Sequence, residues 1–262
     1  MELEQMLLAN MTQPRAQQAL GRGTAVVVTG SIEQHGGHLP LGTDALAALT
    51  IALRVGRALE APVLPLSPVG VAPYHLPWPG SLTIRPDTLV ALMLDVCEGL
   101  SAAGVERVVL VNWHEGNSPA IRVAADRVQK QLPQRVIVAE AHVVTNTLFP
   151  DEMEFTHAGA METAAVLAYD PSLVRLEERT EGDLVDSGIE GHALFRRRDV
   201  FPVMTDFREV AAAGWYGRPE TITEERAREI IDAVADHIVS SVEDVWKRLT
   251  ERAPAAEGSP SG

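Results

Sequence analysis

The chain has 262 residues, 46% of them hydrophobic and 22% charged, an ordinary composition for a folded protein long enough for one large α/β domain. Twenty-two basic residues against 36 acidic ones leave a formal net charge of −14, a field that repels a phosphate backbone and argues against a nucleic-acid partner. A single cysteine excludes an intrachain disulfide and fits a reducing cytoplasm, the acidic start Met1-Glu2-Leu3-Glu4 is unlike a secretory signal, and no apolar run approaches the ~20 residues of a membrane span.

Four β-branched runs, 25–28, 62–66, 107–111 and 135–144, are short, nearly continuous in apolar residues and bounded by Gly, Pro or polar residues. Strands buried on both faces of a parallel sheet read this way. Helical stripes lie between them. The first is Leu46, Leu49, Leu53, Gly56 and Leu59, the second Leu89, Leu92, Val96 and Leu100, and the third Ile121, Ala125, Val128 and Leu132. This alternation predicts βαβ units with right-handed crossovers and helices on both faces of the sheet. Cys97 falls inside the second stripe and reads as a core residue.

From 181 to 220 the pattern lapses into Gly, Asp, Arg and Pro, with isolated aromatics Phe195, Phe201, Phe207, Trp215 and Tyr216. An irregular connection of that length points to a functional or interface segment. Its basic run, Arg196-Arg197-Arg198, reads as a solvated loop. A last helix is predicted to open on a Thr221/Glu224 capping box and to bury Ile231, Val234, Ile238, Val242, Val245 and Leu249. Residues 1–252 are expected to form one domain, followed by a disordered tail over 253–262, rich in Ala, Ser, Pro and Gly.

Directly after the first strand stands Glu33-Gln34-His35-Gly36-Gly37-His38-Leu39-Pro40-Leu41-Gly42-Thr43-Asp44. Ligands of an open α/β sheet bind beyond the carboxyl ends of its strands, where Glu33 and His35 follow the first strand and His114 follows the third. Glu33 and His35 are two apart, so extended backbone sends both side chains the same way. Gly36, Gly37 and Pro40 then let the chain turn and bring Asp44 back at the next helix start, where alone it would read as an N-cap after Thr43. A lone histidine after a strand is ordinarily structural, and His142, His192 and His237 keep that reading. Glu33, His35, Asp44 and His114 together suit Zn²⁺ or Mn²⁺, and the excess of carboxylates suits two ions sharing a bridging aspartate.

Glu33, His35, Gly36, His38, Leu39, Pro40, Thr43 and Asp44 resemble the Glu-x-His-Gly-x-His-Leu-Pro-x-x-Thr-Asp signature of the creatininase (creatinine amidohydrolase) family. Asn112-Trp113-His114-Glu115-Gly116-Asn117 is similar to that family's Asn-Gly-His-x-x-Asn block, and His157-Ala158-Gly159-Ala160-Met161-Glu162-Thr163 to its His-Gly-Gly-x-x-Glu-Thr block. Pro79-Gly80-Ser81 resembles the Pro-Gly-Thr/Ser step of its substrate loop. The resemblance implies a three-layer α/β/α sandwich with a mostly parallel sheet, a homohexamer, and one or two divalent ions per subunit. Zn²⁺ is the expected ion, with Mn²⁺ or Fe²⁺ as alternatives. It implies hydrolysis of a C–N bond in a small cyclic amide or formamide through a metal-activated water. Glu33, His35, Asp44, His114 and Glu162 would be metal ligands, with Asp44 bridging. His157 would shuttle the proton, with Glu115 beside it as a second catalytic residue, and Trp113, Gly80 and Ser81 would meet the substrate.

Three positions depart from the pattern. Gly116 stands where creatininase itself has a glutamate ligand, leaving the second metal to Glu162 or to Glu115. Trp113 replaces a common glycine, and Glu115 a small or aromatic residue. These lie on the substrate side and argue against creatinine. Within the family the alternatives are a peptidase of the mycofactocin-precursor type and a ring hydrolase acting on a sugar-derived ketone; Trp113 and the aromatics of 195–216 favour a lidded pocket over a peptide groove. A scaffold that has lost its chemistry is disfavoured because the ligand residues are all present. A metal-free fold of the nucleoside-phosphorylase type is disfavoured by the lack of a glycine-rich phosphate loop.

Overall fold

Every residue of the first strand, β1 (Thr24–Thr29), is buried, which is why its sequence lacks the polar alternation of a half-exposed strand. The computed structural model describes residues 3–182, 193–197 and 199–251. β1 lies between β2 (Val63–Ser67) and β3 (Arg107–Asn112), and β4 (Arg135–Glu140) pairs with β3, giving a parallel sheet of order β2-β1-β3-β4. The helices that cover it or extend from it are α1 (Gln13–Leu20), α2 (Thr43–Ala58), α3 (Pro86–Ala102), α4 (Ser118–Gln131), α5 (Ala141–Leu148), α6 (Ala160–Tyr169) and α7 (Glu224–Glu251).

The pleat sorts the strand residues into two cores. Val26, Val28, Val109 and Val111 face a core shared with α2, α6 and α7. Ala25, Val27, Val108 and Leu110 face the opposite core, shared with α3 and α4. This is the three-layer α/β/α arrangement with a parallel sheet expected from the sequence. Cys97 lies fully buried in the second core, as read. Among the described residues no helix is long and apolar enough to cross a membrane.

The fourth apolar run does not remain strand to residue 144. β4 stops at Glu140, and the chain enters α5, which buries Ala141, His142 and Thr145 and exposes Val143. Burial at helical spacing there outweighs the β-propensity of Val143 and Val144. The Thr221/Glu224 capping box also fails. Thr221 belongs to the 3₁₀ turn Pro219–Thr221 and donates its hydroxyl to the Arg218 carbonyl at 2.8 Å. The oxygen that accepts at the start of α7 is Thr223 Oγ1, from the Arg226 N–H at 3.3 Å. Val245 and Leu249 are exposed because the last turns of α7 run past the core. Arg196 is no solvated loop residue, since it is folded against Glu115 and Phe155. His192, Arg198, the tail over 253–262 and part of the irregular segment lie outside the described residues.

The strand order positions the site. The chain leaves β1 for β2 on one side and later returns to β3 on the other, so the connections diverge between β1 and β3. A crevice opens beyond the carboxyl ends of the strands at such a switch point.

Candidate metal centre

Four segments converge on that crevice. The loop after β1 carries Glu33 and His35 and doubles back onto the start of α2, where Asp44 is the second residue. Gly30 permits this, because a Cβ there would lie 2.5 Å from the backbone of Ala45. The Glu33 N–H closes the loop on the Leu41 carbonyl at 2.9 Å. His75 ends a 3₁₀ turn after β2, and His114 follows β3. His157 and Glu162 flank the start of α6, where the Glu162 carboxylate accepts the Ala158 N–H.

None of these seven side chains belongs to a residue more than 7% exposed, so their charges are paired within the cluster rather than by water. His35 Nε2 lies 3.4 Å from Asp44 Oδ1 and 3.7 Å from Glu162 Oε2. His114 Nδ1 lies 3.0 Å from Asp44 Oδ2 and 3.2 Å from Glu33 Oε2. His75 Nε2 lies 3.2 Å from Glu33 Oε1. In three overlapping groups, Glu33/His35/Asp44, His35/His157/Glu162 and Glu33/His75/His157, donor atoms lie within 4.8 Å of one another. Asp44 thus stands between two imidazoles instead of capping α2.

Gln34 sets two tautomers. Its amide nitrogen meets the Gly214 carbonyl and lies 3.1 Å from both His75 Nδ1 and His157 Nε2; because His157 Nε2 is itself a donor to the Gln34 carbonyl, the two amide hydrogens go to Gly214 and His75. His75 then carries its proton on Nε2, which lies 3.2 Å from Glu33 Oε1. His157 Nε2 donates to the Gln34 carbonyl at 2.8 Å, leaving Nδ1 as its basic nitrogen. The His75 and His157 rings stack at 4.8 Å, and Phe207 packs on both, at 4.6 and 4.7 Å.

Burial pushes Glu33 up to about 7, against the opposing charge of His114. Burial also works against charge on His35 and His114, but flanking carboxylates prevail. Glu162 and Asp44 hold His35 well above the usual imidazole range, and Glu33 and Asp44 raise His114 to about 9. Asp44 is likewise opposed by burial yet held well below the carboxylate range by these two imidazoles. Burial and the charge of His35 bring His157 down to about 4, and burial with His157 keeps His75 neutral.

The donor set fits a divalent cation. Glu33 Oε2, Asp44 Oδ2 and His35 Nε2 are buried without an aligned hydrogen bond despite the close approaches above. Imidazole nitrogens mixed with carboxylate oxygens suit Zn²⁺ or Mn²⁺, whose binding displaces protons from such ligands.

The structure thus brings together Glu33, His35, Asp44, His114, His157 and Glu162. Trp113 lines the adjoining cavity, which has a volume of about 310 Å³. Gly80 and Ser81 do not line it; the Ser81 hydroxyl accepts the Gln34 N–H at 3.0 Å from behind the loop. Glu115 lines the cavity and accepts hydrogen bonds from Nε and Nη2 of the Arg196 guanidinium, so it does not join the cluster. His142, read as ordinary, is a buried residue of the cavity wall. His75 was not singled out in the sequence. The signal available was its place four residues before Pro79-Gly80, in the same loop as Ser81.

A family model described as creatinine amidohydrolase matches residues 9–242. The chain is a member of the creatininase family. It is 26% identical to the creatinine amidohydrolase of Pseudomonas putida over 249 residues, 87% of this chain and 92% of that one. The mycofactocin precursor peptide peptidase of Mycobacterium tuberculosis is 29% identical over 228 residues, 83% of each chain. A solved structure described as "Creatininase Mn" superposes with a TM-score of 0.69 at 23% identity, over 95% of this chain and 99% of that one. In this creatininase-family chain the backbone explains Gly116. A Cβ there would lie 2.3 Å from the Val71 carbonyl oxygen and 2.5 Å from His114 Nε2, so no glutamate fits on the observed path. Glu162 supplies a carboxylate to the cluster from α6 instead.

Proposed function

We propose that this protein is a divalent-metal-dependent amidohydrolase that cleaves the C–N bond of a small cyclic amide or formamide. The observation that carries the reading is the buried cluster of imidazoles and carboxylates, with unpaired donor atoms, at the switch point of a creatininase-family chain. Glu33, His35, Asp44, His114 and Glu162 would hold one or two ions, Zn²⁺ first, with Mn²⁺ or Fe²⁺ as alternatives. Such an ion, when bound, polarises a carbonyl oxygen and lowers the pKa of a water.

The chain's own residues do the rest. His157, neutral and with Nδ1 basic, accepts a proton as the carbonyl carbon is attacked and returns it to the leaving nitrogen. His75 Nε2 stands 3.2 Å from Glu33 Oε1, and Oε2, which has no aligned hydrogen bond, is the oxygen left for ligation. Trp113 forms part of the substrate wall, while Ser81, which follows Gly80, acts at a distance by accepting the Gln34 N–H. A cavity of about 310 Å³ is at the small end for ligand sites and supports a compact substrate. The peptidase among the relatives favours a second reading, a short peptide reaching in by one end.

Protein purified without added metal should carry near-stoichiometric Zn, Mn or Fe and should hydrolyse a member of a panel of lactams, cyclic ureides and formamides. Absence of metal, with no activity after reconstitution with each ion, would sink the enzyme reading; cleavage of short peptides alone would select the second. The reading also includes one domain over 1–252 in a cytoplasmic homohexamer, which limited proteolysis and light scattering test.

A further inference from the structure

Besides the imidazoles and carboxylates, the cavity wall includes Phe155, whose ring packs edge-on against His142 at 5.4 Å, and the segment carrying Phe195, Phe201, Val203 and Met204. Arg196 is the only arginine or lysine among the described residues that line the cavity, and its charge is spent locally. Its Nε and Nη2 donate to Glu115 Oε2 at 2.9 and 2.8 Å, and Nη1 donates to the Phe155 carbonyl at 3.1 Å. The guanidinium also lies 3.9 Å above the Phe155 ring. An arginine held on three sides in this way offers no unmatched positive charge to a ligand.

The cavity lining therefore combines the imidazoles and carboxylates of the cluster with aromatic and aliphatic side chains, and the one arginine among its described residues is neutralised by Glu115. Phe201 and Val203 are 53% and 80% exposed, so among the described residues they present apolar surface at the cavity that is left largely uncovered. We infer that the substrate is a neutral amide bearing an apolar arm of about the size of a phenyl ring, which this wall receives while the amide faces the cluster. The inference rests on the amidohydrolase reading for the position of the amide. The arm is what separates it from small polar amides, because desolvating an aromatic ring against this wall supplies affinity that a bare ring amide lacks.

Binding of 5-benzylhydantoin, hydantoin and hydantoin-5-acetic acid to the zinc-loaded protein, measured by calorimetry, tests this. The benzyl compound should bind on the order of 30-fold more tightly than hydantoin. That ratio should collapse in Phe201→Asp and in Val203→Asp, each checked for folding by circular dichroism. Equal affinities, tightest binding of the acetic acid, or no binding of the benzyl compound at millimolar concentration would each overturn the inference. Turnover is read separately. A benzyl preference without hydrolysis keeps the apolar subsite and removes the ureide chemistry. Hydrolysis of hydantoin and its benzyl derivative with equal KM keeps the chemistry and removes the subsite.

Discussion

Replacing Gly116 by alanine adds one methyl group at the most confined point of the site. The new Cβ would stand 2.3 Å from the Val71 carbonyl oxygen and 2.5 Å from both His114 Nε2 and Tyr74 Oη, about 1 Å short of the 3.4 Å at which ordinary contact begins. Tyr74 has a side-chain end that can swing away. Val71 is backbone, pinned by its N–H to Asn117 Oδ1 at 2.9 Å, and His114 Nε2 is itself bonded to the Val71 carbonyl at 3.1 Å. Either the carbonyl or the imidazole must move, which by analogy with overpacked cores costs about 1–3 kcal/mol. Movement of the ring also carries Nδ1 away from Asp44 and Glu33, now 3.0 and 3.2 Å distant. Zinc affinity should fall by roughly 10–100-fold, the usual effect of disturbing the support of a ligand. Urea unfolding of the metal-free protein measures the first effect, and zinc competition against a chelator the second. Stability within 0.5 kcal/mol (roughly the scatter expected of a neutral surface change), together with zinc affinity within about twofold of wild type, would refute the reasoning.

Asn117→Ala removes the acceptor for the Val71 N–H and the donor to the Gly30 carbonyl, both buried, and should cost about 2–5 kcal/mol in guanidinium unfolding; a smaller loss would mean that these groups find other partners. His35→Ala and Asp44→Asn should each abolish turnover with circular dichroism unchanged, and wild-type kcat in either would show the centre misplaced. Glu115→Gln should change kcat by less than about tenfold, because its carboxylate is engaged with Arg196; a loss of a thousandfold or more would return Glu115 to the chemistry. Burial pushes the Cys97 thiol up to about 11, so at pH 8 it should hold on the order of 100-fold less thiolate than a free thiol. Ellman's reagent should see it only after unfolding, and rapid labelling of the native protein would contradict its place in the core.

The layers were legible because β1 and β3 are apolar on both faces, a pattern that few other environments produce. The end of β4 was not. Val143 and Val144 favour a strand in isolation, and only the fit of Ala141, His142 and Thr145 against the rest of the fold turns that segment into a helix. Glu33, His35 and Asp44 were readable because they sit within twelve residues of one loop. His75 contacts Glu33 across 42 positions of chain, a proximity that no local spacing encodes. Ser81 lies in the same loop, yet its hydroxyl bonds the Gln34 backbone and does not line the cavity. Arg196 showed the reverse error, since a run of arginines gives no hint that one of them will lie over Phe155.

Gln34 has a consequence for how such a centre can be lost. Its amide gives its two hydrogens to the Gly214 carbonyl and to His75 Nδ1, whereas a glutamate of almost identical shape has none to give. A carboxylate there would draw a proton to His75 Nδ1, so that His75 either turns a bare Nε2 toward Glu33 Oε1, 3.2 Å away, or takes a second proton and a positive charge inside the cluster. The genetic code separates glutamine from glutamate by one base. A relative silenced by that single change would retain every ligand residue and nearly the same outline, and neither a ligand census nor a superposition would distinguish it from an active enzyme.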